Sequence, residues 1–172
     1  AATMTATQSA SGIVLNGSAI TTTATGVLLT SRQQFMRYPV CGLMTRVRAR
    51  STLVANQVGE LGFGFSATLS GTTAQVENGA HWRINSDGTI VPTLIYNSTE
   101  VTGTNIAGSI SSSNFYDWFV FLEDDRATFV CTRSDTGAEI SRQVLRQAIT
   151  APKLWNVTHV YSWLRCRNNT AP

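Results

Sequence analysis

Asn114 to Arg133, NFYDWFVFLEDDRATFVCTR, limits what this chain can fold into more than any other stretch. From Phe115 to Leu122 seven of eight residues are apolar or aromatic, and Asp117 is the exception. On a strand, Phe115, Phe119 and Phe121 share one face, while Tyr116, Trp118, Val120 and Leu122 share the other. A strand apolar on both faces is expected to be covered on both, which makes this a central strand. Glu123-Asp124-Asp125-Arg126 supplies a turn, because Asp tolerates turn geometry and bonds its own backbone. The return strand, Ala127 to Arg133, alternates more cleanly, with Thr128, Val130 and Thr132 opposed to Phe129 and Cys131.

The same alternation recurs on either side. Val40 to Leu53 sets Leu43, Thr45, Val47 and Ala49 against Arg46, Arg48 and Arg50. In Val58 to Leu69, Gly62 and Gly64 oppose Leu61, Phe63 and Phe65, and glycine at alternate positions permits a close approach or a bulge. His81 to Ile84 and Thr89 to Tyr96 flank Asn85-Ser86-Asp87-Gly88, a strong turn signal. Pro92 argues for an edge or a bulge in the second of these strands. Strand-like cores follow around Val101 and Ile106. Ser134-Asp135-Thr136-Gly137 turns the chain into a strand over Ala138 to Gln147, and Trp155 to Arg167 reads as a long last strand. Ser31 to Pro39 reads as a helical turn or an irregular crossing. Ten to twelve short strands with regular turn signals predict an all-β, antiparallel two-sheet sandwich of the jelly-roll kind.

Residues 1 to 30 carry no charge, since Arg32 is the first charged residue. This block holds two apolar bursts, Ile13-Val14-Leu15 and Val27-Leu28-Leu29. Two readings stay open: an extended N-terminal arm lying on a neighbouring subunit, or first strands joined by an Asn16-Gly17 hairpin turn. The division is therefore 1-30 as arm or first strands, and 31-172 as the sandwich domain.

At 172 residues one domain can bury a substantial core. Only 13% of residues are charged, about half the usual share, and Ser and Thr fill the gap. The net charge is +3, and Lys153 is the one lysine among thirteen basic residues. Arginine favours planar, bidentate contacts at interfaces. Arg46, Arg48 and Arg50, spaced by two, form one basic strand face. It reads as an inter-subunit or solvated face, because nucleic-acid binding would call for a wider basic stripe. Cys41, Cys131 and Cys166 are odd in number and far apart, so buried free thiols are expected, with no metal site, cofactor or disulfide framework. No 18-residue apolar run and no signal-peptide pattern occur, so a soluble, unprocessed chain with no membrane partner is expected. Four N-x-S/T triplets, at Asn16, Asn97, Asn156 and Asn168, arise by chance in a chain this rich in Asn, Ser and Thr.

No catalytic motif stands out. Glu123, Asp124 and Asp125 are consecutive in a turn, whereas glycoside chemistry needs two converging carboxylates roughly 5–9 Å apart. His81 and His159 belong to no metal-ligand or triad spacing. Among the aromatics, Trp118 and Trp163 suit a core. Trp82, just before the Asp87 turn, and Trp155, after Pro152, are the candidates for stacking on a sugar ring, with Asp87 beside them.

The order GELGFGF, HWRINSDGT, YDWFVFL, EDDRATFVCTRSDTGAEI resembles the concanavalin A-like lectin/glucanase jelly roll, in particular the stand-alone domains of tailed-bacteriophage virion proteins. The resemblance covers about residues 40 to 167 and lies in turns and alternation. The E-x-D-x-x-E run of the family's glucanases is missing here, as is the carboxylate spacing of its metal-binding lectins. The resemblance implies a non-enzymatic virion structural protein, assembled in the host cytoplasm, that decorates the capsid or belongs to the tail. It would act through protein contacts with other virion proteins and as a homo-oligomer, with a trimer as the expected form. Ile13, Val14, Leu15, Arg46, Arg48 and Arg50 are the subunit-contact candidates. The alternative is a carbohydrate-binding module for host-surface glycans, with Trp82, Asp87 and Trp155 as glycan contacts.

Overall fold

A computed structural model describes residues 5–9, 12–16, 26–30, 35–36, 42–50, 57–65, 78–96, 98–123, 126–146 and 159–168. Among the described residues, thirteen strands and one 3-10 turn run in chain order. They are β1 (Thr5–Ser9), β2 (Gly12–Asn16), β3 (Gly26–Thr30), β4 (Phe35–Met36), β5 (Leu43–Ala49), β6 (Gln57–Phe65), β7 (Asn78–Ile84), β8 (Ile90–Tyr96), β9 (Thr99–Thr102), the 3-10 turn Ala107–Ser109, β10 (Tyr116–Leu122), β11 (Arg126–Arg133), β12 (Glu139–Arg146) and β13 (His159–Asn168). No helix among them is long and apolar enough to cross a membrane.

β1 and β2 pair only with each other, and the other strands form two sheets that face each other, as the alternation predicts. The smaller has the order β12-β11-β10-β5, and the larger β3-β13-β6-β7-β8-β9 with β4 also pairing β13. Every pairing is antiparallel. The core lies between the sheets. Tyr116, Trp118, Val120 and Leu122 of β10 and Phe129 of β11 meet Leu61, Phe63, Ala80, Trp82 and Leu94 of the larger sheet, all buried. Trp82 stands at the centre, edge-on to Trp118 with ring centroids 5.4 Å apart and to Phe129 at 5.7 Å. Removing such aromatic area from water is the main source of sandwich stability.

Glycine at 62 answers the close approach read from the sequence. It pairs with His81, and a Cβ there would collide with the Ala80 carbonyl oxygen and lie 2.6 Å from the His81 Cα. Pro92 is accommodated without a bulge. Its carbonyl accepts from the Gly103 amide at 2.9 Å, on the side of edge strand β9. A residue's N–H and C=O point to the same neighbour, so the missing proline N–H costs the β7–β8 ladder nothing.

Four expectations are corrected. First, β10 is internal in its sheet, but only one face is core: Phe115, Phe119 and Phe121 project from the outer face, with Phe115 47% exposed. Period-two alternation cannot tell inside from outside when both faces are apolar. Second, the two N-terminal apolar bursts do not pair with each other: β2 pairs β1, with Ile13 opposite Gln8, while β3 pairs β13 of the larger sheet. Third, Phe35–Met36 is a short strand on β13 rather than a helical turn. Fourth, Trp82 is fully buried and therefore is not a sugar platform.

Candidate functional site

The outer faces of the two sheets differ. On the larger one Glu60, His81, Thr93 and Ile95 are each at most 1% exposed, so the middle of that face is closed to a ligand. The outer face of the smaller sheet is open. Its register sets Met44, Phe121, Thr128 and Val144 in one row and Arg46, Phe119, Val130 and Arg142 in the next, followed by Arg48, Asp117 and Thr132. Met44 is 58% exposed and Val144 49%.

Asp117 is the hinge of this surface. It is the polar break in the aromatic strand, and period two puts it between Phe115 and Phe119, opposite Arg48. Arg48 donates from Nε to Oδ1 at 3.0 Å and from Nη2 to Oδ2 at 3.2 Å. Arg46 donates from Nε to Oδ1 at 3.1 Å, with its Nη2 3.0 Å from Oδ2. The two guanidinium groups thus share one carboxylate whose side chain is only 6% exposed, while they themselves are about half exposed. Burial pushes the Asp117 carboxyl up, but the bonds from Arg48 and Arg46 and the Arg46 charge outweigh it and hold the group at about 2. The same carboxylate raises Arg48.

The arginines also cover the aromatic rings. Arg46 Cζ lies 5.4 Å from the Phe119 ring centre, and Arg50 Cζ lies 5.2 Å from that of Phe115. Phe119 and Phe121 stack nearly parallel at 6.2 Å. Beyond Phe121 the face dips into a depression of ≈390 Å³ lined by Met44, Phe121, Glu123, Thr128 and Arg142 among others. From Phe115 to Phe121 the strip runs six residue steps, roughly 20 Å at about 3.3 Å per step. Its chemistry is recognition: flat rings, planar donors and one fixed carboxylate.

The structure thus brings Arg46, Arg48 and Arg50 together on one face, as their spacing predicts. It adds Phe115, Asp117, Phe119 and Phe121, which the sequence reading assigned to a covered strand. The signal available for them was Asp117 itself, since a carboxylate inside an aromatic strand needs a cationic partner at the same period.

The other candidates lie apart from this face. Asp87 sits in the Asn85–Gly88 turn, where its Oδ1 accepts from the Thr89 amide at 2.8 Å and from the Thr89 hydroxyl at 2.7 Å. Those bonds lower its carboxyl and commit it to the turn. Beside that turn a cavity of ≈360 Å³ opens between Ile84, Ile90, Ile110, Tyr116 and Trp118. Trp155 lies outside the described residues. Ile13 and Val14 are 53% and 54% exposed on the β1–β2 hairpin and Leu15 is half-buried, far in sequence from the arginine strand.

Glu123 keeps to turn chemistry. Its amide donates to the Arg126 carbonyl at 2.9 Å, and its carboxylate accepts from Arg126 Nε at 2.6 Å. Asp124 and Asp125 lie outside the described residues. Cys131 and Cys166 are buried free thiols as expected; burial, with the Asp117 charge second, pushes Cys131 up to about 12. Cys41 is outside the described residues. Among the described residues no group of three or more His, Cys, Asp or Glu is placed to hold a metal ion.

Neither a known protein family nor a curated protein matches the chain. Its fold is that of a β-sandwich already seen among carbohydrate-binding proteins. The carbohydrate-binding module CBM66 from Bacillus subtilis superimposes with a TM-score of 0.54 over 98% of this chain and 86% of its own, at 8% identity. CG-16, a homodimeric agglutinin from chicken liver, gives a TM-score of 0.42 over 84% of this chain and 92% of its own, at 8% identity. The fold assignment rests on the first of these, and at such identity the likeness is one of architecture.

Proposed function

We propose that this domain is a non-catalytic carbohydrate-recognition module and that it binds a glycan on the outer face of the smaller sheet. The observation that carries the reading is the strip Arg50–Phe115, Arg48–Asp117, Arg46–Phe119 and Phe121. Ring faces offer C–H stacking surfaces for pyranose rings. Guanidinium groups anchored by a buried carboxylate offer planar donors for hydroxyl and acid oxygens. The β-sandwich architecture shared with a carbohydrate-binding module agrees with it as analogy. A surface laid out along a strand suits an oligosaccharide chain better than a single sugar.

The reading as a virion structural subunit, with virion localisation and virion partners, rests on the sequence resemblance, the uncharged N-terminal block, the low and arginine-dominated charge and the lack of a catalytic motif. The fold comparison favours the glycan reading over it. Subunit contact through Ile13, Val14 and Leu15 stays a separate proposal, compatible with either.

Glycan-array binding followed by calorimetry tests the module. Phe115→Ala changes a side chain that is 47% exposed and leaves the core alone. We expect at least one glycan class to bind, with about tenfold loss in this variant, the weight of one stacked ring. Binding that Phe115→Ala and Arg46→Gln leave unchanged would move the site elsewhere, and silence across the array would end the reading.

A further inference from the structure

We infer that the glycan recognised on this face is anionic, its carboxylate or sulfate groups bound by the outward forks of Arg46 and Arg48, with Arg50 extending the site. The inference rests on the carbohydrate-recognition reading and names its ligand class. Three observations carry it.

The first is charge. The strip itself carries three guanidinium groups and one carboxylate: Asp117 pairs Arg46 and Arg48, while Arg50 lies over the Phe115 ring. The strip therefore keeps a net positive charge in a chain where only 13% of residues are charged. A neutral sugar would leave that charge uncompensated.

The second is donor geometry. A guanidinium has five N–H donors in a fixed fork. Arg46 and Arg48 each turn the Nε/Nη2 edge toward Asp117. The Nη1 side of each fork lies away from that edge, and among the described residues no other group accepts from it. Planar edges of this kind match a carboxylate or sulfate in bidentate fashion.

The third is order. Both forks are fixed before any ligand arrives, by a carboxylate that is itself nearly buried and by the Phe119 ring under Arg46. Pre-ordered long side chains lose less freedom on binding, which raises affinity without new contacts. Asp117 is thus a positioning residue: it does not touch the ligand, but it aims the two groups that do.

Isothermal titration at physiological salt tests this with five probes. They are an oligogalacturonide, its carboxyl-reduced neutral counterpart, a heparin-derived oligosaccharide, a neutral glucan oligosaccharide and single-stranded DNA. We expect an acidic sugar to bind at least tenfold tighter than the neutral ones, the preferred arm telling carboxylate from sulfate. Arg48→Gln and Arg50→Gln, both at exposed positions, should each weaken it several-fold or more.

Asp117→Asn is the decisive variant. It removes a negative charge, so simple attraction predicts tighter anion binding, whereas positioning predicts weaker binding. Equal affinity for acidic and carboxyl-reduced sugars would overturn the inference and leave the glycan reading standing, as would acid-sugar binding that Arg48→Gln and Arg50→Gln do not alter. DNA binding as tight as the acidic sugars would overturn it as mere polyanion attraction. Binding of none of the sugars would overturn the glycan reading itself.

Discussion

The indole N–H of Trp82 donates to the backbone carbonyl of Phe119 at 3.1 Å, tying β7 of one sheet to β10 of the other. The ring that makes this bond is the one the sandwich closes on, and the carbonyl belongs to the residue whose own ring faces outward beneath Arg46. The core and the recognition strip therefore meet at Phe119.

Trp82→Ala should cost about 3–5 kcal/mol, as a large aromatic deletion between two packed sheets does. Trp82→Phe keeps most of the apolar area but loses the bond to Phe119, so about 1–2 kcal/mol is expected. Urea unfolding followed by fluorescence or circular dichroism separates the two. Equal and small losses in both variants would contradict the central place given to this ring.

The Asp117 carboxyl is held at about 2, below its ordinary value of 3.8. A folded value below the unfolded one stabilises above about pH 4, and that contribution fades as pH falls through about 2. It amounts to about 2 kcal/mol. Unfolding free energies measured at neutral pH and near pH 2 should differ by at least this much, other carboxylates adding their share. Asp117→Asn should lack this part of the slope, and an unchanged slope would show that the two arginines do not hold the charge.

Gln143 of β12 joins the sheets at their edge. Its Oε1 accepts from the Thr104 amide at 2.7 Å, and its Nε2 donates to the Thr104 carbonyl at 2.9 Å, copying a strand pairing with a side chain. Gln143→Ala should cost about 1–2 kcal/mol. Hydrogen exchange should quicken first at Thr104 and Gly103, whose amide bonds Pro92. Faster exchange confined to the far end of the sandwich would disprove the link.

Gly62→Ala should destabilise by about 1–3 kcal/mol, because its methyl would press on the backbone of Ala80 and His81 in the neighbouring strand. Gly88→Ala offers a contrast. A Cβ there meets nothing, and the cost comes from its φ of +84°. Thermal melts of the pair tell crowding from backbone strain, since Gly88→Asn should recover part of its loss and Gly62→Asn none.

The N-terminal block divides at a different place from its composition. β1 and β2 form their own two-stranded sheet, whereas β3 is a strand of the larger one. Deleting residues 1–16 should leave the sandwich's unfolding midpoint nearly unchanged. Deleting through residue 30 should lower it clearly, because β13 loses its β3 neighbour. Equal effects of both deletions would argue against this division.

Alternation and turn chemistry were enough to place most strands of the sandwich within a few residues. Side chains on a pleat alternate strictly, and Asn85–Gly88 and Ser134–Gly137 punctuate them. The arginine face was legible for the same reason, since spacing by two needs no partner strand to define it. The position of the rings was legible only in part. Trp118 suited a core and lies in one, but the run is apolar on both faces, so nothing local marked Phe119 and Phe121 as the uncovered side. Likewise Trp82 in HWRI reads equally well as a core ring or a surface ring. The chain by itself thus determined an antiparallel all-β sandwich and one basic strand edge. The tertiary structure decided which aromatic face is covered, because Trp82 fits between Trp118 and Phe129. It also made Asp117 the shared partner of two arginines, because only the β5–β10 register brings residues about seventy positions apart within 3.2 Å.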